Sequence, residues 1–142
     1  MSTAEQERNK TLVRRFYDEV ENQGKHELVD DLFASDFQDV YNTASPFPVR
    51  GTEGVKKLAK ALHDNLDLHV EIEDLVAEGD KVVAQVITTT THKNPFLGVA
   101  PTGKVFASRG VEIFRVRQGK LCERWVYIDR MPMLRELGII PK

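Results

Sequence analysis

The chain has 142 residues, 41% of them hydrophobic and 30% charged, with a formal net charge of −2. That length predicts one domain over residues 1–142, large enough to bury a substantial core, and the composition argues against disorder. The near-balanced charge gives no electrostatic footprint for nucleic acid or an anionic membrane, and no apolar run is long enough to span a bilayer. A single cysteine, Cys122, leaves no intramolecular disulfide. With a polar start, MSTAEQERNK, that does not read as a signal peptide, it points to the cytoplasm.

Thr3 with Gln6, or Ser2 with Glu5, can form a capping box at the start of the first helix. Leu12, Val13, Phe16, Tyr17 and Val20 follow at helical spacing, and Asn22-Gln23-Gly24 is a stop signal. Leu28, Val29, Leu32 and Phe33 repeat the pattern in a second, short helix, giving a helical hairpin with one apolar face. Asp36 to Asn42 reads as a strand with Phe37, Asp39 and Tyr41 on one side. The loop TASPFPVR is stiffened by Pro46 and Pro48. Thr52 then caps a third helix whose buried stripe is Val55, Leu58, Ala59, Leu62 and Leu66.

From Leu68 the period changes from helical to alternating. Leu68 to Glu73, Val82 to His92, Lys104 to Arg117 and Leu121 to Asp129 read as strands, with turns at Gly79-Asp80 and Gln118-Gly119. Pro132 and Gly138 bracket a short closing helix, MPMLREL. Helices first and an antiparallel meander afterwards predict an α+β fold with the helices on one face of the sheet.

Glu123, Trp125, Tyr127 and Asp129 alternate along the last strand and share a face. Two carboxylates and two aromatic rings suit the wall of a mixed polar and apolar cavity better than a dry core. The opposite face, Cys122, Arg124, Val126 and Ile128, is apolar enough to predict a homodimer packed through the outer side of the sheet. His26, His63, His69 and His92 fall on separate elements without ligand spacing, so no metal is expected. There is no nucleophile elbow, phosphate-binding loop or dinucleotide fingerprint. Acid–base chemistry by carboxylates and tyrosines, or binding without chemistry, remains.

The segments NKTLVRRFYDEVENQGKHELVDDLFASDF, GTEGVKKLAKAL, LVAEGDKVVAQ, FLGVAPTGK and GVEIFRVRQGKLCERW, in that order, closely resemble the SnoaL-like polyketide cyclases. These belong to the nuclear transport factor 2-like superfamily, with ketosteroid isomerase and limonene epoxide hydrolase. The resemblance implies a cone: a curved antiparallel sheet wrapped around the N-terminal helical hairpin, with a deep pocket between them. It also implies cofactor-free and metal-free aldol cyclisation or isomerisation, a lyase or isomerase chemistry on a small apolar molecule. Tyr17, five residues before the Asn of NQG, matches the isomerase's oxyanion tyrosine. Two tracts depart from the family. Asp39-Val40-Tyr41-Asn42 stands where many relatives read roughly DHDP, and Glu123-Arg124-Trp125 replaces a frequent Glu-His-Trp.

The expected machinery is therefore Asp129 or Asp39 as base, with Tyr17 or Tyr41 stabilising an enolate and Glu123 as a further acid. Asp129 is equally readable as the partner of Arg130 or Arg109, or as a cap for the helix starting at Met131. Phe16, Phe37, Leu62, Phe96, Trp125 and Tyr127 are either pocket wall or ordinary core, and Arg109 either binds an anionic substrate group or pairs with Glu123. The first expectation is an acid–base enzyme acting on an apolar ring-containing carbonyl compound. The alternatives are a non-catalytic binder of a small hydrophobic ligand and, third, a hydrolase or dehydratase.

Overall fold

A computed structural model describes residues 3–142. Thr3 caps helix α1 (Ala4–Arg15): its hydroxyl accepts from the Gln6 N–H at 3.1 Å, and Gln6 Oε1 accepts from the Thr3 N–H at 2.8 Å. The alternative box through Ser2 lies outside the described residues. Helix α1 runs on into a π-helical segment, Phe16–Asn22, the wider winding that recurs at functional sites. A 3₁₀ turn (His26–Leu28) and a single α turn, α2 (Val29–Leu32), complete the hairpin. Strand β1 (Phe33–Asn42) begins earlier than its apolar pattern suggests. Helix α3 (Gly51–Leu66) starts at Arg50, so Thr52 lies inside its first turn and is not the cap.

Strands β2 (His69–Glu78), β3 (Lys81–Thr91), β4 (Val105–Arg117) and β5 (Lys120–Ile128) form the antiparallel meander, and α4 (Met131–Glu136) closes the chain. The β4–β5 turn has positive φ at both Gln118 (52°) and Gly119 (74°), the mirror-image turn that matches strand twist. The sheet order is β1-β5-β4-β3-β2, and β1 pairs with β5 in parallel. The sheet is thus mixed, where an all-antiparallel one was expected. Helix α3 carries the chain across from β1 to β2 at the opposite edge, and alternation alone does not encode strand direction. The helices cover one face, where Val13, Phe16, Tyr17, Val20, Val55 and Leu58 pack with Val70, Val82, Val86, Phe114 and Leu121. No helix of the described residues is long and apolar enough to cross a membrane.

The inward set on β5 is Leu121, Cys122, Arg124 and Val126, all nearly or fully buried. This corrects the expected dimer face: those side chains point into the molecule and are unavailable to a second copy. The outer side instead carries Tyr41 and Tyr127, stacked at 5.1 Å. The correction has a simple cause, since a lone arginine among apolar residues makes a buried row look like an exposed one.

Gly110 sits opposite Ile128 where β4 and β5 wall the interior. A Cβ there would overlap Ile128 Cδ1 and lie 2.8 Å from the Tyr127 carbonyl oxygen. Gly110→Ala is expected to lower stability by about 1–3 kcal/mol through overpacking, read as a lower urea midpoint with unchanged slope. An unchanged midpoint would show that the strands separate at no cost.

Candidate functional site

A cavity of ≈140 Å³ opens between α3, the sheet and α4. Its walls are apolar: Leu58, Leu62 and Leu66 from α3, Leu68, Phe96 and Phe106, and Val126 and Ile128 from β5. At its buried end stand three charged side chains, Glu21, Glu112 and Arg124, each no more than 6% exposed.

Arg124 fixes their arrangement. Its Nε donates to Asp39 Oδ1 at 2.7 Å and its Nη2 to Asp39 Oδ2 at 2.8 Å, a bidentate fork. Its Nη1 lies 3.6 Å from Glu112 Oε1. The guanidinium carbon lies 5.5, 5.9 and 6.0 Å from the ring centroids of Phe16, Phe37 and Phe114, so aromatic faces take up part of the charge that water has left. Asn42 Nδ2 donates to Asp39 Oδ2 at 2.7 Å, holding the carboxylate from its other side.

Glu21 and Tyr17 both come from the π-helical segment, four residues apart and on the same buried side. The segment is clamped to the sheet by Asn22, which donates to the Val70 carbonyl at 2.8 Å and accepts from the Val70 N–H at 2.7 Å. The Tyr17 hydroxyl is fully buried beside Glu112, close enough for the two groups to shift each other's proton affinity, although Tyr17 Oη and Glu112 Oε1 fall outside strict hydrogen-bond geometry. Glu112 is held inward by β4, in phase with Phe114 and Val116.

Burial dominates the proton affinities. It pushes the Glu21 carboxyl up from 4.5 to about 8, helped by the charge of Glu112 and opposed by Arg124. Glu112 is also raised by burial, with Arg124 pulling the other way. Tyr17 is raised well above the ordinary phenol value by burial and then by Glu112 and Glu21, so it stays an O–H donor. Burial works against the Arg124 cation, but the Asp39 carboxylate outweighs it and holds the guanidinium above the ordinary arginine value. Near neutral pH the site combines a permanent cation, its carboxylate partner, a largely protonated Glu21 and the Glu112 carboxyl.

The outer half of the cavity holds two further groups. His92 is buried with its Nδ1 against Thr102, 3.0 Å from the hydroxyl and 3.3 Å from the N–H, and its Nε2 has no partner. Arg130 lines the wall half-buried and has no carboxylate at ion-pair distance among the described residues. No trio of potential metal ligands occurs among the described residues.

The sequence-derived candidates divide. Tyr17 and Asp39 are brought to the charged cluster, Phe16 and Phe37 pack on Arg124, and Leu62 and Phe96 line the cavity. Glu123, Trp125, Tyr127 and Asp129 do share a face, but it is the outer one, which corrects their placement on the cavity. Glu123 forms an ion pair with Arg115, Oε1 to Nε 2.7 Å, and Trp125 lies under Lys81 and Arg115. Tyr127 is 46% exposed, and Asp129 Oδ1 accepts from the Met131 N–H at 3.1 Å, the capping reading. Tyr41 was expected beside Asp39. A register shift between Asp39 and Tyr41 turns it out to 51% exposure. Arg109 pairs with Glu73 at 3.3 Å on the surface, neither in the cavity nor with Glu123.

Sequence reasoning missed Glu21, Glu112, His92 and Arg130, and placed Arg124 on the wrong face. A signal existed for two of them. Glu112 alternates in step with Phe106, Phe114 and Val116, and Glu21 follows Tyr17 by one helical turn.

Two outcomes follow from this geometry. Asp39→Asn or Arg124→Met alone should cost about 3–5 kcal/mol, because each leaves a buried partner uncompensated. The double variant Asp39→Leu with Arg124→Met should recover most of that, and a double variant as unstable as the singles would refute the pairing argument. For Glu21 the folded-state pKa lies above the unfolded one, so the native state holds the extra proton and loses stability as pH rises from 4.5 to about 8. Glu21→Gln should melt higher than the parent by roughly 4 °C or more above pH ~8, with the gap closing toward pH ~5. A gap independent of pH would place the titration elsewhere.

No protein of curated function matches the chain. Solved structures do. A candidate polyketide cyclase from Acidithiobacillus ferrooxidans is 27% identical, with 98% of this chain and 99% of that one covered and a TM-score of 0.83. IdmH, a candidate polyketide cyclase from Streptomyces antibioticus, is 28% identical over 92% of this chain and 98% of its own, with a TM-score of 0.78. AclR, a candidate hydroxylase from Streptomyces galilaeus, is also 28% identical, over 96% of this chain and 85% of its own, with a TM-score of 0.78. Two differently named activities on one fold mean that the fold does not choose the reaction. The sequence model of the SnoaL-like polyketide cyclases matches residues 11–137, and the chain belongs to that family.

Proposed function

We propose that the protein is an acid–base enzyme that moves a proton next to the carbonyl of an apolar, ring-containing compound, leading to cyclisation or isomerisation. The observation that carries this reading is the meeting of Glu21, Glu112 and Arg124 at the buried end of an apolar cavity. In this scheme ionised Glu112 removes the proton on the carbon beside the carbonyl, and the electron pair moves onto the carbonyl oxygen. Protonated Glu21 donates to that oxygen, and the fixed charge of Arg124 stabilises the enolate. For isomerisation, the proton on Glu112 returns to a different carbon. For cyclisation, the enolate carbon attacks a second carbonyl, whose oxygen takes the proton held by Glu112 as the new C–C bond forms. Neither course consumes a cofactor. Tyr17 is a positioning residue, standing behind Glu112, and Asp39 orients Arg124. The bases expected from the sequence, Asp129 and Asp39, do not serve here: one caps α4 and the other is locked in the fork.

One observation favours the non-catalytic reading instead. The cation at the buried end of the cavity is already neutralised by Asp39, as in a site built to hold rather than to react. Deuterium exchange at the carbon next to the carbonyl of 1-tetralone, followed by NMR, separates the two. The parent protein should accelerate exchange, and Glu112→Gln should lower the rate by about 10²–10⁴-fold with its circular dichroism unchanged. Activity should fall as pH rises through about 8, where Glu21 loses its proton. Tight binding of 1-tetralone without accelerated exchange would establish the binder.

A further inference from the structure

Arg124, Val126, Ile128 and Arg130 all line the cavity at alternate positions along one stretch of chain. The row reads charged, apolar, apolar, charged. At ~3.3 Å per residue Arg124 and Ile128, the last residue of β5, are roughly 13 Å apart, and the chain turns toward α4 at Arg130, whose backbone is helical. The inner arginine has its carboxylate, Asp39, in a bidentate fork. The outer one has none among the described residues, although it is half-buried and lines a binding space. An arginine withdrawn from water without an acid partner lacks the compensation that buried cations ordinarily have. Burial also pulls its pKa below the ordinary arginine value.

A second polar side chain, His92, also lines the cavity with one ring nitrogen unpartnered. His92 follows β3 as Arg130 follows β5, and these strands run in the same direction with β4 between them. The register sets Ile128 level with Gly110 and Val86, so His92 lies about four residues, roughly 13 Å, farther along β3 than the level of Arg130, and the two reach the cavity from different points of its wall. Two other polar side chains of the wall are already engaged. Asn94 Nδ2 donates to the Asn65 carbonyl, and the Asn42 side chain bridges Asp39 and the Ala44 N–H. The surface arginine Arg109 has Glu73.

We propose that the ligand of this cavity is an amphipathic carboxylic acid whose carboxylate is held by Arg130 while its ring and carbonyl reach Glu21 and Glu112. The inference rests on the proposed function for what happens at the inner end, and it adds the chemical class of the substrate and the residue that selects it. A neutral ring ketone would satisfy the walls but leave Arg130 unpaired. A ligand with a carboxylate one apolar segment away from its reacting carbonyl satisfies both ends of the row.

The test is a matched pair of probes, 4-(2-naphthyl)butanoic acid and its methyl ester, titrated calorimetrically into the full chain. The acid should bind at least about 10-fold more tightly than the ester, the range of a hydrogen bond to a charged group. Arg130→Gln should abolish that preference by weakening the acid alone, and Arg130→Lys should restore part of it. Equal affinities in the parent protein, a preference that survives Arg130→Gln, or binding of neither probe would each overturn the inference. Its failure is separable from failure of the catalytic reading, because 1-tetralone exchange needs no carboxylate. Exchange without acid preference removes only this inference, and acid preference without exchange removes only the enzyme.

Discussion

The Arg124–Asp39 fork is the contact on which the interior depends. Both side chains are 3% exposed, and a guanidinium taken that far from water is tolerable only with its charge matched and its donors engaged. The two residues are register partners on adjacent strands, so the fork also ties β5 to β1, the one parallel pair of the sheet. Register shifts on both sides of Asp39 aim its carboxylate inward while Gln38 and Tyr41 stay outside. The packing of Phe16, Phe37 and Phe114 around the cation joins the helical layer to the same point. Arginine suits this role better than lysine would, since its planar fork meets a carboxylate with two hydrogen bonds and its faces stack on rings.

From that anchor the cavity acquires a direction. Its inner end is crowded with ionisable groups whose water has been replaced by protein, and its middle is leucine, valine and isoleucine. Glu21 reaches the inner end because the chain unwinds into a π-helical segment there, and Asn22 pins the end of that segment to β2 in place of a strand partner. A carboxyl at this position stays largely protonated near neutral pH for the same reason that it is costly to the fold. The unfavourable burial of Glu21 and the role as acid proposed for it are one property.

Much of the architecture was legible because it rests on periodicity. The change from helical to alternating spacing near Leu68, the positive-φ turn at Gln118-Gly119 and the capping box at Thr3 are local signals, and each has a local physical cause. The site was less legible, because it depends on which of two faces a strand turns inward. On β5 the choice lay between a row with two acids and two aromatics and a row with Cys122, Arg124, Val126 and Ile128. Two aromatics outweighed one arginine, yet the arginine row is the buried one, since Asp39 arrives from β1, 85 residues away in sequence. Nothing near Arg124 in the chain announces that partner. Tyr41 fails for a related reason, as a single register shift reverses the face of every residue beyond it. Glu112 was visible in principle, being in step with Phe114 and Val116, but an acid in an apolar strand becomes interpretable only when its neighbours across space are known.

The identity of the residue at position 124 also constrains what chemistry the cluster can support. The family resemblance places a histidine there, a group that can itself take and give a proton near neutral pH. Arginine cannot, because its guanidinium does not deprotonate in proteins. Val40 and Tyr41 likewise remove the titratable pair from the β1 tract, leaving Asp39 alone and committed to the fork. In the proposed reaction, proton transfer therefore falls to Glu21 and Glu112, whose affinities burial raises and Arg124 restrains. The fixed cation favours an ionised carboxyl at Glu112, 3.6 Å away, while Glu21 keeps its proton. On that proposal, exchanging a titrating histidine for a permanent charge moves the acid and the base onto neighbouring carboxyls, at the same place in the fold.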